Sequence, residues 1–72
     1  MKKIVVYVKR SCVQCDATLR HLGSLGLSYE TMEATENIEQ LKALGYLSAP
    51  VVVAGDESWS GYRPDLLNSL VK

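Results

Sequence analysis

Apolar residues recur in two rhythms along this chain, and the switches between them divide it into seven elements. Lys3 to Val8 is β-branched and almost continuously apolar, the pattern of a central strand covered on both faces. From Val13 to Leu25 the period lengthens. Cys15, Thr18, Leu19, Leu22 and Leu25 fall at three- and four-residue spacing before Gly26, which predicts a helix with one buried face and a glycine stop. Leu27 to Glu33 reads as a second strand anchored by Tyr29 and Met32. Thr35 then suits the N-cap of a second helix, with Glu36 in its first turn, Ile38, Leu41 and Leu44 as its stripe and Gly45 as its end. Val51 to Ala54 is a buried-type strand, Gly55-Asp56 a turn, and Ser58 to Ser60 around Trp59 the return strand of a hairpin. Pro64 opens a last helix, with Asp65 behind it and Leu66, Leu67, Leu70 and Val71 as its apolar side.

The order β-α-β-α-β-β-α implies an α/β domain. A right-handed β-α-β crossover gives a parallel pair and the hairpin adds two antiparallel strands, so the sheet is four-stranded, mixed and flanked by three helices. Residues 1–72 make one domain, and a chain this short buries only about 60% of the surface it exposes when unfolded. At 47% hydrophobic and 22% charged, with no low-complexity tract, it is expected to fold alone, as a monomer. The apolar run Ile4 to Val8 stops at Lys9 and Arg10, short of the roughly 7–15 residues of a secretory signal, and no stretch nears the roughly 20 that span a bilayer. A cytosolic location is therefore expected, with neither membrane nor nucleic acid as a partner.

The chemistry concentrates at Cys12-Val13-Gln14-Cys15, where the first strand gives way to the first helix. A sulfur at a helix start sits beside unpaired backbone N–H groups and the positive end of the dipole, which favours the thiolate. One turn later the second sulfur can close an intramolecular disulfide, and it lies on the buried face, so Cys12 is the accessible nucleophile and Cys15 the resolving thiol. A structural role suits the pair less well. Closing a four-residue loop removes only about 2 kcal/mol of unfolded-chain entropy, and the expected compartment is reducing. The net charge of zero hides an asymmetry: residues 1–20 carry Lys2, Lys3, Lys9, Arg10 and Arg20 against Asp16, a net +4, while the remainder carries −4. Lys9 and Arg10 would lower the Cys12 pKa further and steer an acidic partner, unless they form only a solvated loop.

Three other uses of two thiols stay open. Zinc wants four ligands, and the chain offers two cysteines and the distant His21. Iron–sulfur ligation would need a second chain. A soft-metal chaperone also carries Cys-x-x-Cys at a strand-to-helix corner, but such domains follow β-α-β-β-α-β and usually have Met two places before the first cysteine, where this chain has Arg10. Ala49-Pro50 precedes a strand, a permitted site for proline, and on residue type alone the bond is trans, since cis accounts for only about 5–6% of such bonds.

Taken together, the cysteine pair after the first strand, the proline opening the third and the element order resemble the thioredoxin fold in its minimal, glutaredoxin-like form. Within that fold, Cys12-Val13-Gln14-Cys15 and Trp59-Ser60-Gly61-Tyr62-Arg63-Pro64-Asp65 resemble the NrdH-redoxins, glutaredoxin-like carriers reduced by thioredoxin reductase that pass electrons to class Ib ribonucleotide reductase. The resemblance implies a cis Ala49–Pro50 bond facing the cysteines and presenting backbone to a partner strand. It also implies thioredoxin reductase and the large subunit of the ribonucleotide reductase as partners, and no cofactor beyond the Cys12–Cys15 disulfide. Glutaredoxins proper usually have Pro-Tyr between the cysteines, Thr-Val-Pro at the strand start and a Gly-Gly followed by small polar residues. Here those places read Val13-Gln14, Ser48-Ala49-Pro50 and Gly55-Asp56-Glu57-Ser58-Trp59. Trp59 and Tyr62 would crowd a glutathione site, which favours a protein reductant; a glutathione-dependent glutaredoxin is the competing reading.

Individual residues carry a structural reading beside the functional one. Tyr7 either flanks the thiols or belongs to the core. Trp59 is expected to pack, with docking or bracing of the loop to Asp65 as the uses the motif adds. Arg63 suits a loop-bracing hydrogen bond rather than catalysis. Asp16 needs only the helix dipole to justify it, with proton relay as its second reading. His21 is expected on the polar side of its helix, at the surface.

Overall fold

The strand β1 (Ile4–Val8) runs between two neighbours, and its inward residues alternate between two core layers. The computed structural model describes residues 3–71; Lys2 and Lys72, counted in the charge balance, lie outside them. The chain continues through α1 (Val13–Ser24), β2 (Glu30–Glu33), a 3₁₀ turn (Ala34–Glu36), α2 (Ile38–Ala43), β3 (Val51–Ala54), β4 (Glu57–Ser60) and α3 (Pro64–Ser69). The sheet order is β2-β1-β3-β4, with β1 parallel to β2 and antiparallel to β3, and β3 antiparallel to β4. This is the mixed four-stranded sheet with three helices that the pattern predicts, and it closes on a helix, unlike the soft-metal carriers.

Strand alternation decides what each helix covers. Ile4, Val6, Val52, Ala54 and Trp59 turn to one face, where Leu22 of α1 and Leu67 of α3 complete the core. On the opposite face Val51 meets Leu41 of α2 and Ala34, with Tyr7, Tyr46, Ala49 and Val53 packed around them. Two helix ends follow one scheme. Gly26 N–H bonds to Gly23 and Leu27 N–H to Leu22; likewise Gly45 N–H bonds to Lys42 and Tyr46 N–H to Leu41. Both glycines have positive φ, +73° and +89°, the conformation this cap demands.

Several expectations are corrected. The second strand begins at Glu30, not Leu27, because the Leu27 backbone is still engaged in capping α1. Tyr29 and Met32 do not anchor it: β2 is an edge strand, and they are 37% and 41% exposed. Thr35 is not a helix cap. It lies inside the 3₁₀ turn, and α2 starts after Asn37, whose side chain donates back to the Glu33 carbonyl. With six residues α2 buries Leu41 and leaves Ile38 and Leu44 half exposed. The return strand gains Glu57, paired with Ala54, and Val71 lies exposed beyond α3. Among the described residues no helix is long and apolar enough to cross a membrane.

Candidate active site

Cys12 is the N-cap of α1, in extended conformation, and its Sγ accepts the Cys15 N–H at 3.1 Å. The sulfur therefore occupies the place an oxygen usually takes in satisfying the free donors of a helix start, where negative charge is favoured. Ser11 just before it has φ +52°, so the reversal from strand to helix passes through a left-handed residue that is not glycine. Cys12 and Cys15 are joined as a disulfide, with Cα atoms 5.1 Å apart. Cys15 is buried among the core side chains and Cys12 is partly open to solvent. Val13 between them projects outward, 82% exposed.

The sheet brings a second segment to this corner. Tyr7 is paired with Val51, so the start of β3 lies beside the end of β1 that leads to Cys12. The Ala49–Pro50 bond is cis and Pro50 is buried, so the cis geometry implied by family resemblance holds against the trans expectation from residue type. Ser60 pairs with Val51, and the next residue, Gly61, donates its N–H to the Pro50 carbonyl at 2.8 Å. Gly61 has φ +84°, a turn that a side chain would strain.

Gln14 and His21 tie this loop to α1. The Gln14 Oε1 accepts the Tyr62 N–H at 3.1 Å, and the Gln14 carbonyl accepts from Thr18 Oγ1, a buried hydroxyl, at 2.8 Å. His21 Nδ1 lies 2.8 Å from the Tyr62 hydroxyl and Nε2 2.8 Å from Asn68 Oδ1. An amide oxygen only accepts, so Nε2 carries the proton and, in the neutral ring, Nδ1 accepts from Tyr62. The expectation that His21 is a surface residue is corrected: it is partly buried, stacked edge-on against Tyr62, and joins α1 to α3. Its spacing from Gln14 was the available signal, since seven residues return to one helix face.

Trp59 packs as expected and faces no partner, and the expectation that it would crowd a glutathione site is corrected, because its ring is in the core. Paired with Val52 on the inward side of β4, it is 6% exposed, and its Nε1 has no hydrogen-bond partner. Tyr7 also packs in the core. Arg63, at the N-cap of α3, bonds Asp65 through Nε at 3.4 Å and Nη2 at 3.2 Å. That hydrogen-bonded guanidinium holds the Asp65 carboxyl below its ordinary 3.8. Pro64 is the first residue of α3, with its missing N–H at a position that needs none. Lys9 and Arg10 are exposed and share a shallow concavity with Glu33, Thr35 and Glu36, so their charge meets acids across it. Asp16 is an exposed first-turn acid on α1.

Residues 4–59 match the glutaredoxin family model. The chain is 44% identical over 71 residues to the glutaredoxin-like protein NrdH of Escherichia coli K12, covering 94% of this chain and 88% of that protein. It is 30% identical over 70 residues to the glutaredoxin-like protein NrdH of Lactococcus lactis subsp. lactis, covering 93% and 97%. Among solved structures, the E. coli NrdH-redoxin, described as having a thioredoxin-like activity profile, superposes with a TM-score of 0.89 over 94% of this chain and 93% of that one, at 44% identity. A glutaredoxin from Archaeoglobus fulgidus gives 0.80 at 27% identity, over all of this chain and 88% of that one.

Proposed function

We propose that this chain, which belongs to the glutaredoxin family and within it to the NrdH-redoxins, carries two electrons from a thioredoxin reductase to the large subunit of a class Ib ribonucleotide reductase. The chain is a thiol–disulfide oxidoreductase with Cys12–Cys15 as its redox centre. In the reduced form the Cys12 thiolate attacks a client disulfide; a mixed disulfide forms and one client thiolate leaves, taking a proton. Cys15, deprotonated, then attacks Cys12 Sγ. The second client thiol departs and the Cys12–Cys15 disulfide is restored, so the client gains two electrons from the carrier and two protons, one from Cys15 and one from solvent. A reductase supplying two electrons resets the pair, and no other cofactor enters the proposed cycle.

The observation that carries the reading is Cys12 Sγ at the N-cap of α1, accepting the Cys15 N–H while Cys15 lies buried beneath it. One sulfur is reachable and sits at a helix start, where a thiolate is favoured once the disulfide opens; the other is buried one turn away. A protein reductant is supported by the loop at Gly61 and Tyr62, held against α1 by Gln14 and His21 where a tripeptide would need room. The proposed setting is a reducing one, the cytosol, with the chain acting as a monomer.

The deciding experiment supplies the oxidised protein with NADPH and thioredoxin reductase, or with NADPH, glutathione and glutathione reductase, and follows NADPH oxidation. Rapid turnover is expected with the first pair and little with the second. The reverse result would replace this reading with a glutathione-dependent glutaredoxin.

A further inference from the structure

Gln14 sits between the two cysteines, and only half of its amide is used. Its oxygen end is fixed, because the Tyr62 backbone N–H can only donate and so must face Oε1. Nε2, with two N–H donors, is therefore turned to the other side. Gln14 is exposed, and among the described residues those donors have no protein partner. The oxygen end is located by Gly61: its N–H holds the Pro50 carbonyl at 2.8 Å, and a Cβ on it would stand 3.5 Å from Gln14 Oε1. The amide thus lies beside the Gly61 backbone, which joins it to Pro50 just ahead of β3.

We infer that Gln14 Nε2 is a client-binding donor, which takes a peptide carbonyl oxygen of the client segment while that segment is held on Cys12. The inference rests on the disulfide-exchange reading given above. A client cysteine joined to Cys12 brings its own backbone to this corner of the molecule, and that backbone offers a neutral acceptor every ~3.4 Å. Ordering a glutamine side chain ordinarily costs rotamer entropy, and here the bond to Tyr62 has already ordered it in the free protein. A second bond from the same amide adds affinity without that loss. Gln14 would in this way favour peptide disulfides over small disulfides that contain no amide. A residue that served as a brace alone would need only an acceptor.

Gln14→Glu separates the two roles: the carboxylate still accepts from Tyr62, but the donors are gone. Gln14→Ala removes both. The measurement is kcat/KM for insulin disulfides and for bis(2-hydroxyethyl) disulfide, in about 0.5 M salt so that the new charge is screened. The ratio of insulin to the small disulfide is expected to fall about 3- to 10-fold in Gln14→Glu, mainly through KM, as for the loss of one hydrogen bond. Gln14→Ala should show at least the same fall together with a lower melting temperature. A wild-type ratio in Gln14→Glu, whatever happens in Gln14→Ala, would reduce Gln14 to a brace and overturn the inference. A wild-type protein that reduced neither disulfide would remove the exchange reading itself, and this inference with it.

Discussion

Which sulfur does which job is decided at the level of single residues. Cys12 caps a helix and is partly open; Cys15, three positions on, falls on the face that α1 turns to the core. The division of labour in the proposed cycle follows from that one-turn offset. Cys15→Ser should therefore stall the reaction at its midpoint and accumulate a covalent adduct through Cys12, whereas Cys12→Ser should form none. Mass spectrometry of both variants after mixing with insulin, without reductant, checks this; failure to recover the Cys15→Ser adduct would contradict the assigned roles. The cysteine spacing alone made this corner readable, because a helix start fixes the environment of its first residues locally. The partners of Gln14 and Tyr62 were not readable, since they lie 48 residues apart in the chain.

Between elements, the structure shows how α1 and α3 are held side by side. Leu22 and Leu67 pack beneath, and His21 spans the rim by bonding Tyr62 and Asn68 at once. His21→Ala deletes two hydrogen bonds of about 0.5–1.5 kcal/mol each. For a domain of this size that corresponds to a fall in melting temperature of roughly 5–20 °C, measurable by circular dichroism. Tyr62→Phe deletes one of the two and should cost about half as much. Sequence periodicity placed both helices correctly but assigned His21 to solvent, because a helical face is called polar by its residues while its neighbour is chosen by the sheet. The start of α2 went astray for a related reason. Thr35 has the chemistry of a cap, yet the chain leaving β2 first makes a 3₁₀ turn, and Asn37 is the residue that ends it.

Over the whole molecule, stability rests on a small core divided by the sheet into two layers. A chain of 72 residues can expect a net stability of only about 4–11 kcal/mol. Trp59 contributes the largest side chain to one layer, so Trp59→Ala, at about 3–5 kcal/mol, should remove a large share of it. Trp59→Phe should cost distinctly less, since the lost Nε1 has no hydrogen bond to forfeit. Urea unfolding of the three proteins checks the order; equal midpoints for Trp59→Ala and wild type would show that Trp59 is not the core residue described here.

By itself the sequence determined the succession of elements, the strand-to-helix corner that holds the sulfurs, the glycine ends of α1 and α2 and the proline start of α3. Each of these depends on backbone hydrogen bonds and side-chain period within a few residues. Only the tertiary structure decided that β2 is an edge with Tyr29 and Met32 exposed, that Trp59 turns inward, and that Gln14 and His21 reach the loop after β4. Those outcomes depend on which strands become neighbours and how far each short helix extends over them, and such pairings join residues that local chemistry never compares.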